Sequence, residues 1–185
     1  VAGLIHDISH TAFSHVSTYV LQDKWQENDL HEQFQHEFII KSGLKDLLNK
    51  IGFDEEQLLH TDKWSLLENK LPDICADRLD YTIRDGLHLQ ILSRQDADKI
   101  IEGLTIYNKS FVFGNKESAF LYSFAFYLLN LQHYGSATEA YFNHNFGSLV
   151  KRAMQKGVLN TGDWFLNDVE VIKKIKKTKD KEIKN

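Results

Sequence analysis

The sequence is poor in the residues that mark the specialised classes of protein. Its 185 residues contain one cysteine, Cys75, so neither an intramolecular disulfide nor a cysteine-rich zinc site can form, and the chain reads as a protein of a reducing compartment. It contains one proline, Pro72. No Gly-, Ser- or Pro-rich stretch and no repeat divides the chain, so a single domain over residues 1–185 is expected. No apolar run approaches the roughly 18 to 20 residues of a spanning helix, and no basic-then-apolar leader opens the chain. A cytoplasmic protein without a membrane partner is therefore expected. There is no initiator methionine, and Val1 opens what reads as the middle of a helix, the pattern of a fragment. Aromatic residues are not scarce: three Trp, seven Tyr and twelve Phe within a 42% hydrophobic composition supply enough apolar surface for a core and exclude wholesale disorder.

Charge is unevenly spread. The formal net charge is -4, yet the last thirteen residues, Lys173 to Asn185, hold seven Lys against Asp180 and Glu182, which leaves -9 for residues 1–172. An acidic body argues against sequence-independent nucleic-acid binding, whose affinity comes from neutralised phosphates. The Lys-rich tail is either a solvated helix end or an arm for a nucleic acid or a membrane surface.

Helical spacing dominates the pattern. Phe34, Phe38 and Ile39, then Leu44, Leu47, Leu48 and Ile51, recur every three to four residues on two helices separated at Ser42-Gly43. Thr61, and Ser93 with Asp96, are placed as helix caps. Leu104–Tyr107 and Ser110–Phe113 flank a two-residue turn, Asn108-Lys109, and predict a small β-hairpin near residues 104–113. Glu117 to Met154 is long, aromatic and poor in breakers apart from Gly135 and Gly147, and Asp163 to about Lys177 reads as a last helix. The fold class is mainly α, a helical bundle with one hairpin; residues 1–92 carry the helices of the candidate site, and 93–185 the hairpin and C-terminal helices.

Two segments carry chemistry. The first is Leu4-Ile5-His6-Asp7-Ile8-Ser9-His10-Thr11-Ala12-Phe13-Ser14-His15. On a helix over residues 3–10, His6 and His10 lie about 40° apart and Asp7 about 60° beyond, so three ligands for metal or phosphate share one face. A surface helix rich in histidine would look the same. The second is Asp73-Ile-Cys-Ala-Asp77-Arg78-Leu79-Asp80-Tyr81-Thr82-Ile83-Arg84-Asp85-Gly86-Leu87-His88. On a helix, Asp77, Tyr81, Arg84 and His88 form one polar line opposite Leu79, Ile83 and Leu87. That line is either a solvated face laced with Asp-Arg pairs or a face offering a carboxylate to a metal and Arg, Tyr and Asp to an anionic substrate.

Together the two segments resemble the HD-domain metal-dependent phosphohydrolases, in particular their deoxynucleoside triphosphate triphosphohydrolase branch. That branch reads His-Asp-x-Gly-His-Gly-Pro-Phe-Ser-His, then His-Glu, then Asp-(Arg/Lys)-x-Asp-Tyr-x-x-Arg-Asp. Here the matching residues are His6 to His15, His31-Glu32, and Asp77 to Asp85. The resemblance covers residues 3 to 88 and implies an HD-type helical bundle. It implies metal ligation by His6, Asp7 and Asp77, with a further His from an upstream helix that the sequence lacks. It implies action near the scissile phosphate for His10 and His31, a place in the same pocket for His15, and contacts to the phosphates or sugar for Arg78, Tyr81 and Asp85. Arg84 supplies further positive charge. The cofactor implied is a divalent ion among Mn, Fe, Zn, Ni and Mg; the partners implied are a nucleotide, foremost a nucleoside triphosphate, and further copies of the chain.

The sequence also departs from that branch. Thr11-Ala12 replaces Gly-Pro, so the first helix is expected to run on and aim His15 differently. Thr18 stands where an acidic residue is common. Tyr134 stands where an Arg serves the triphosphate, and Phe142-Asn143-His144-Asn145 replaces Tyr-x-His-Lys. These changes carry the alternative of a catalytically weakened, nucleotide-binding regulatory module. His36, His60, His88 and His133 read as structural or surface residues, and Cys75 as a small core residue. The stretch Phe120, Tyr122, Phe124, Phe126 and Tyr127 reads as core or subunit interface, because no basic residue interleaves it.

Overall fold

The computed structural model describes residues 1–21, 35–54, 57–58 and 63–184. His31, the Thr61 cap and Phe34 lie outside them. The described chain is mainly helical with one antiparallel two-stranded hairpin, as the sequence predicts. The helices are α1 (Ala2–Ile5), α2 (Ser14–Leu21), α3 (35–41), α4 (Leu44–Lys50), α5 (Ala76–His88), α6 (Arg94–Glu102), α7 (Lys116–Leu129), α8 (Ala137–Gln155), α9 (Asp168–Lys176) and α10 (Lys181–Lys184). Strands β1 (Leu104–Tyr107) and β2 (Ser110–Phe113) pair between α6 and α7. Among the described residues, no helix is long and apolar enough to cross a membrane.

Contacts group the chain into two compact units, one of Val1–Ile5 and His60–Glu139, the other of His6–Leu59 and Ala140–Asn185. In the first, α5 buries Leu79 against Leu92, Ile100, Tyr122 and Ala125, with Ile83 and Leu87 packed alongside. These are the apolar positions opposite the polar line of α5, so the periodicity sets which face looks inward. The N-terminus of α5 is held by the preceding segment: the Ala76 and Asp77 N–H groups donate to the Leu66 and Leu67 carbonyls at 2.7 and 3.2 Å. Cys75 is buried, as expected of a core residue, and its Sγ caps the helix by accepting from the Arg78 N–H. Gly86 is buried, and a Cβ there would approach Leu92 Cδ1 to 2.9 Å, so α5 lies close against Leu92 and a larger residue would make that side chain shift.

α6 starts at the Ser93/Asp96 capping box read from the sequence. The hairpin has the predicted strands and turn, pairing Leu104 with Phe113 and Tyr107 with Ser110. α7 continues into a π-helical turn, Asn130–Tyr134, before the chain breaks at Gly135. In the second unit, Ala12, Val16 and Val20 share a core with Val150, Ala153, Trp164, Val171, Ile175 and Ile183. The helix expected from Asp163 to about Lys177 begins later than the sequence suggests, and α10 follows it. Asp163 sits in a 3-10 turn, Thr161–Phe165, and α9 starts five residues on behind its own Asn167/Glu170 capping box.

Candidate metal and phosphate site

The first motif does not sit on one continuous helix. α1 ends at Ile5, and residues 6–9 form turns. In a helix the His6 carbonyl would accept the His10 N–H. Here it accepts from the buried Gln35 Nε2 at 2.9 Å, and the His10 N–H turns to the Asp7 carbonyl at 3.0 Å. The helix also does not run through Thr11-Ala12. The Ala12 N–H donates to the Trp164 carbonyl, the Phe13 N–H donates to Asp168 Oδ1 at 3.0 Å, and Phe13 adopts a positive φ of 56°. The chain thus turns sharply without Gly-Pro, because two distant acceptors take the N–H groups that a helix would have used.

The turn still gathers the side chains that the motif predicts. His6 Nε2 lies 3.3 Å from Asp7 Oδ2, and His10 Nε2 lies 3.2 Å from Asp7 Oδ1. One carboxylate therefore spans two imidazoles, the first 15% exposed and the second 35%. The His15 ring stands edge-on to His10 with centroids 6.1 Å apart, and is itself exposed. Among the described residues, His6, Asp7 and Asp77 each offer one ligand atom that could serve a metal ion. An imidazole nitrogen with two carboxylate oxygens suits a divalent ion of intermediate hardness and not a thiolate-seeking one.

The second motif is helical throughout, with Asp77, Arg78, Tyr81, Arg84 and Asp85 all on α5. Arg78 Nη1 donates to the Asp73 carbonyl and Nη2 to the Asn69 carbonyl at 3.1 Å. Its guanidinium thereby ties the 69–73 segment to the helix. Burial raises the Tyr81 phenol above its ordinary pKa, although a hydrogen bond and the positive charge of Arg78 pull it back. Arg84 Nη1 donates to Asp80 Oδ2 at 2.6 Å and its Nε to Asp85 Oδ1 at 3.4 Å.

Sequence reasoning missed two participants. Gln35 holds the His6 carbonyl, and nothing in a sequence pairs residues 29 positions apart in this way. Tyr134 was legible as a lost cation, but its bond was not: its hydroxyl donates to Asp85 Oδ2 at 2.5 Å, and its ring meets Tyr81 edge-on at 5.8 Å. Burial, followed by the hydrogen bond to Asp85 and that carboxylate's charge, pushes the Tyr134 phenol well above its ordinary pKa. The π-helical turn ends at Tyr134, and the Gly135 N–H that follows reaches back five residues to the Asn130 carbonyl.

Known proteins resemble this chain over different spans. It is 32% identical to a Bacillus subtilis (strain 168) protein named YdhJ and described as uncharacterized, over 99% of this chain and 56% of that protein. It is 36% identical to the metal-dependent phosphohydrolase cns2 of Cordyceps militaris, over 56% of this chain and 30% of that protein. It is 32% identical to an Acanthamoeba polyphaga mimivirus protein whose name contains the words HD domain-containing, over 57% of this chain and 26% of that protein. The chain thus spans about half or less of the length of each of these relatives. No family model matches the chain, and no solved structure does. The names of two relatives support an HD-domain phosphohydrolase, and with the His/Asp group they suggest a divalent metal.

Proposed function

We propose that this chain carries the site of a metal-dependent phosphohydrolase acting on nucleotides. The observation that carries the reading is the set of ligand-bearing residues His6, Asp7 and Asp77, in a chain whose relatives bear the names metal-dependent phosphohydrolase and HD domain-containing protein. The step toward nucleotides rests on the resemblance of the three motif segments to the deoxynucleoside triphosphate triphosphohydrolases. A divalent ion in such a site supplies Lewis acidity toward phosphoryl oxygens and makes water acidic enough to attack phosphorus near neutral pH.

The rest of the work falls to the chain. The Asp7 carboxylate orients the His6 and His10 imidazoles. His10, held on Asp7 Oδ1, carries a proton to a leaving oxygen as a general acid. His15, beside the His10 ring, lines the same place, and His31 is proposed as a second proton carrier on the resemblance alone. Tyr81 and Asp85 present a ring and a carboxylate to the sugar. Arg78 and Arg84 set the charge of the phosphate-facing side of α5. The reading also implies assembly with further copies of the chain.

Replacing Asp77 with Ala in the full chain tests the proposal. Metal content by elemental analysis and phosphate release from nucleotides are both expected to fall, release by at least a hundredfold, with the melting temperature used to confirm folding. Unchanged metal content and release would sink the proposal. A second reading, a nucleotide-binding module without turnover, is favoured by Tyr134, which commits its hydroxyl to Asp85 where the resemblance implies a phosphate-binding cation. It predicts nucleotide-dependent thermal stabilisation with no phosphate released.

A further inference from the structure

The positive charges on α5 are already engaged. Arg78 donates one N–H from each terminal nitrogen to the carbonyls of Asp73 and Asn69, and its Nε is buried without a hydrogen-bond partner among the described residues. Turning this guanidinium toward a ligand would strand two backbone acceptors and release the 69–73 segment from the helix. Arg84 is shared between Asp80 and Asp85, and Tyr134 closes the second oxygen of Asp85. With Asp77 committed to the metal, Asp80 and Asp85 match Arg78 and Arg84 along α5, so the helix face has no surplus positive charge for further phosphates.

We infer that the phosphate-recognising face of α5 selects a substrate with a single phosphate over a di- or triphosphate. This rests on the nucleotide phosphohydrolase reading above. Each further phosphate adds at least one negative charge, and a polyphosphate site meets it with additional cations or backbone N–H groups. Position 134, the place for such a cation by resemblance, holds a tyrosine whose donor serves a carboxylate. Arg78 acts as a strut. Arg84 alone could be recruited, since an exposed pair such as Arg84–Asp80 is weak. Leaving its partners would expose Asp80 and Asp85 to the incoming charge. A single phosphate held by a metal asks nothing further of this helix, whereas the outer phosphates of a triphosphate would meet no surplus cation on it and the carboxylates of Asp80 and Asp85.

The test measures binding of deoxyadenosine mono- and triphosphate to the full chain in the presence of manganese, by calorimetry, with phosphate release followed in parallel. The monophosphate is expected to bind at least tenfold more tightly. The side chain of Asp80 is 67% exposed, so Asp80→Asn leaves folding intact. That variant leaves Arg84 with Asp85 as its one carboxylate partner among these two and removes one negative charge, and it is expected to narrow the preference at least threefold. Equal or tighter triphosphate binding by the parent chain overturns the inference, and so does a preference that Asp80→Asn leaves unchanged. The two readings fail separately. A monophosphate preference without phosphate release from either ligand keeps this inference and removes the hydrolase, whereas phosphate release with a triphosphate preference does the reverse.

Discussion

Asp163 is a buried carboxylate with an evident reason to be charged. Burial by itself would raise its pKa, but the Lys174 ammonium on Oδ1 and the Asn160 N–H on Oδ2 outweigh that and hold it below its ordinary value of 3.8. A depressed folded-state pKa means that the pair's stabilisation is complete above the ordinary value and is lost as pH falls through the lower, folded one. Asp163→Asn keeps the shape and removes the charge. It is expected to cost about 1–3 kcal/mol at pH 7, the usual range for a buried group losing a charged hydrogen bond. The deficit should shrink as pH falls below the ordinary value of 3.8, as the parent's own carboxyl protonates. Urea midpoints across that range decide it; a deficit independent of pH would place the effect elsewhere. Legibility at this scale was uneven for the same physical reason. That His6, Asp7 and His10 would meet was readable from their spacing, because any tight local path brings neighbours four residues apart together. That Tyr134 would donate to Asp85 was not readable, because the bond joins residues 49 positions apart through a π-helical turn.

The hairpin is the element in which sequence and structure agree most fully. β-branched and aromatic residues alternate on either side of two turn residues, and the turn bends as such short loops must, with Asn108 at φ 49° and Lys109 at φ 62°. Both lie in the left-handed region that matches the twist of paired strands. Asparagine tolerates this region, whereas lysine carries about 1–2 kcal/mol of Cβ strain there. Lys109→Gly would remove that strain at a cost of about 0.4–1 kcal/mol in unfolded-chain freedom. A net gain of about 0.5–1 kcal/mol is expected, seen as a melting temperature raised by about 1–4 °C for a chain of this size. A lowered melting temperature would contradict it. The hairpin was legible because its determinants are adjacent in sequence. The end of α1 was not, because Gln35 takes the His6 carbonyl and Trp164 and Asp168 take the next N–H groups. The helical period of Leu4, Ile5 and Ile8 was present, but hydrogen-bond partners far along the chain overrode it.

At the scale of the whole molecule, no linker marks where the two units part, since each is assembled from separated stretches of chain. Composition could not reveal this, because a chain that crosses between units needs no Gly- or Pro-rich segment to do so. The Lys-rich tail was equally opaque, with its run of positive charge fitting either a solvated helix end or a binding arm. Between its lysines lie Ile175 and Ile183, 7% and 2% exposed, in one core cluster with Trp164, Val171 and Val150. Lys177, Lys179 and Lys181 are exposed. The tail therefore has an apolar side that helps fold the second unit and a charged side open to solvent. Deleting it would confuse the two, but point substitutions separate them. Ile183→Ala is expected to destabilise by about 2–4 kcal/mol, the usual cost of truncating a buried isoleucine. Changing Lys177, Lys179 and Lys181 to Gln should shift stability by no more than about 0.5 kcal/mol each. Any affinity for polyanions that resides in the tail would then fall in the lysine variants while their urea midpoints hold. The Ile183 variant should show the opposite pattern, a lowered midpoint under conditions where enough chain remains folded to bind as before. An Ile183→Ala midpoint equal to the parent's would mean that the tail takes no part in the core.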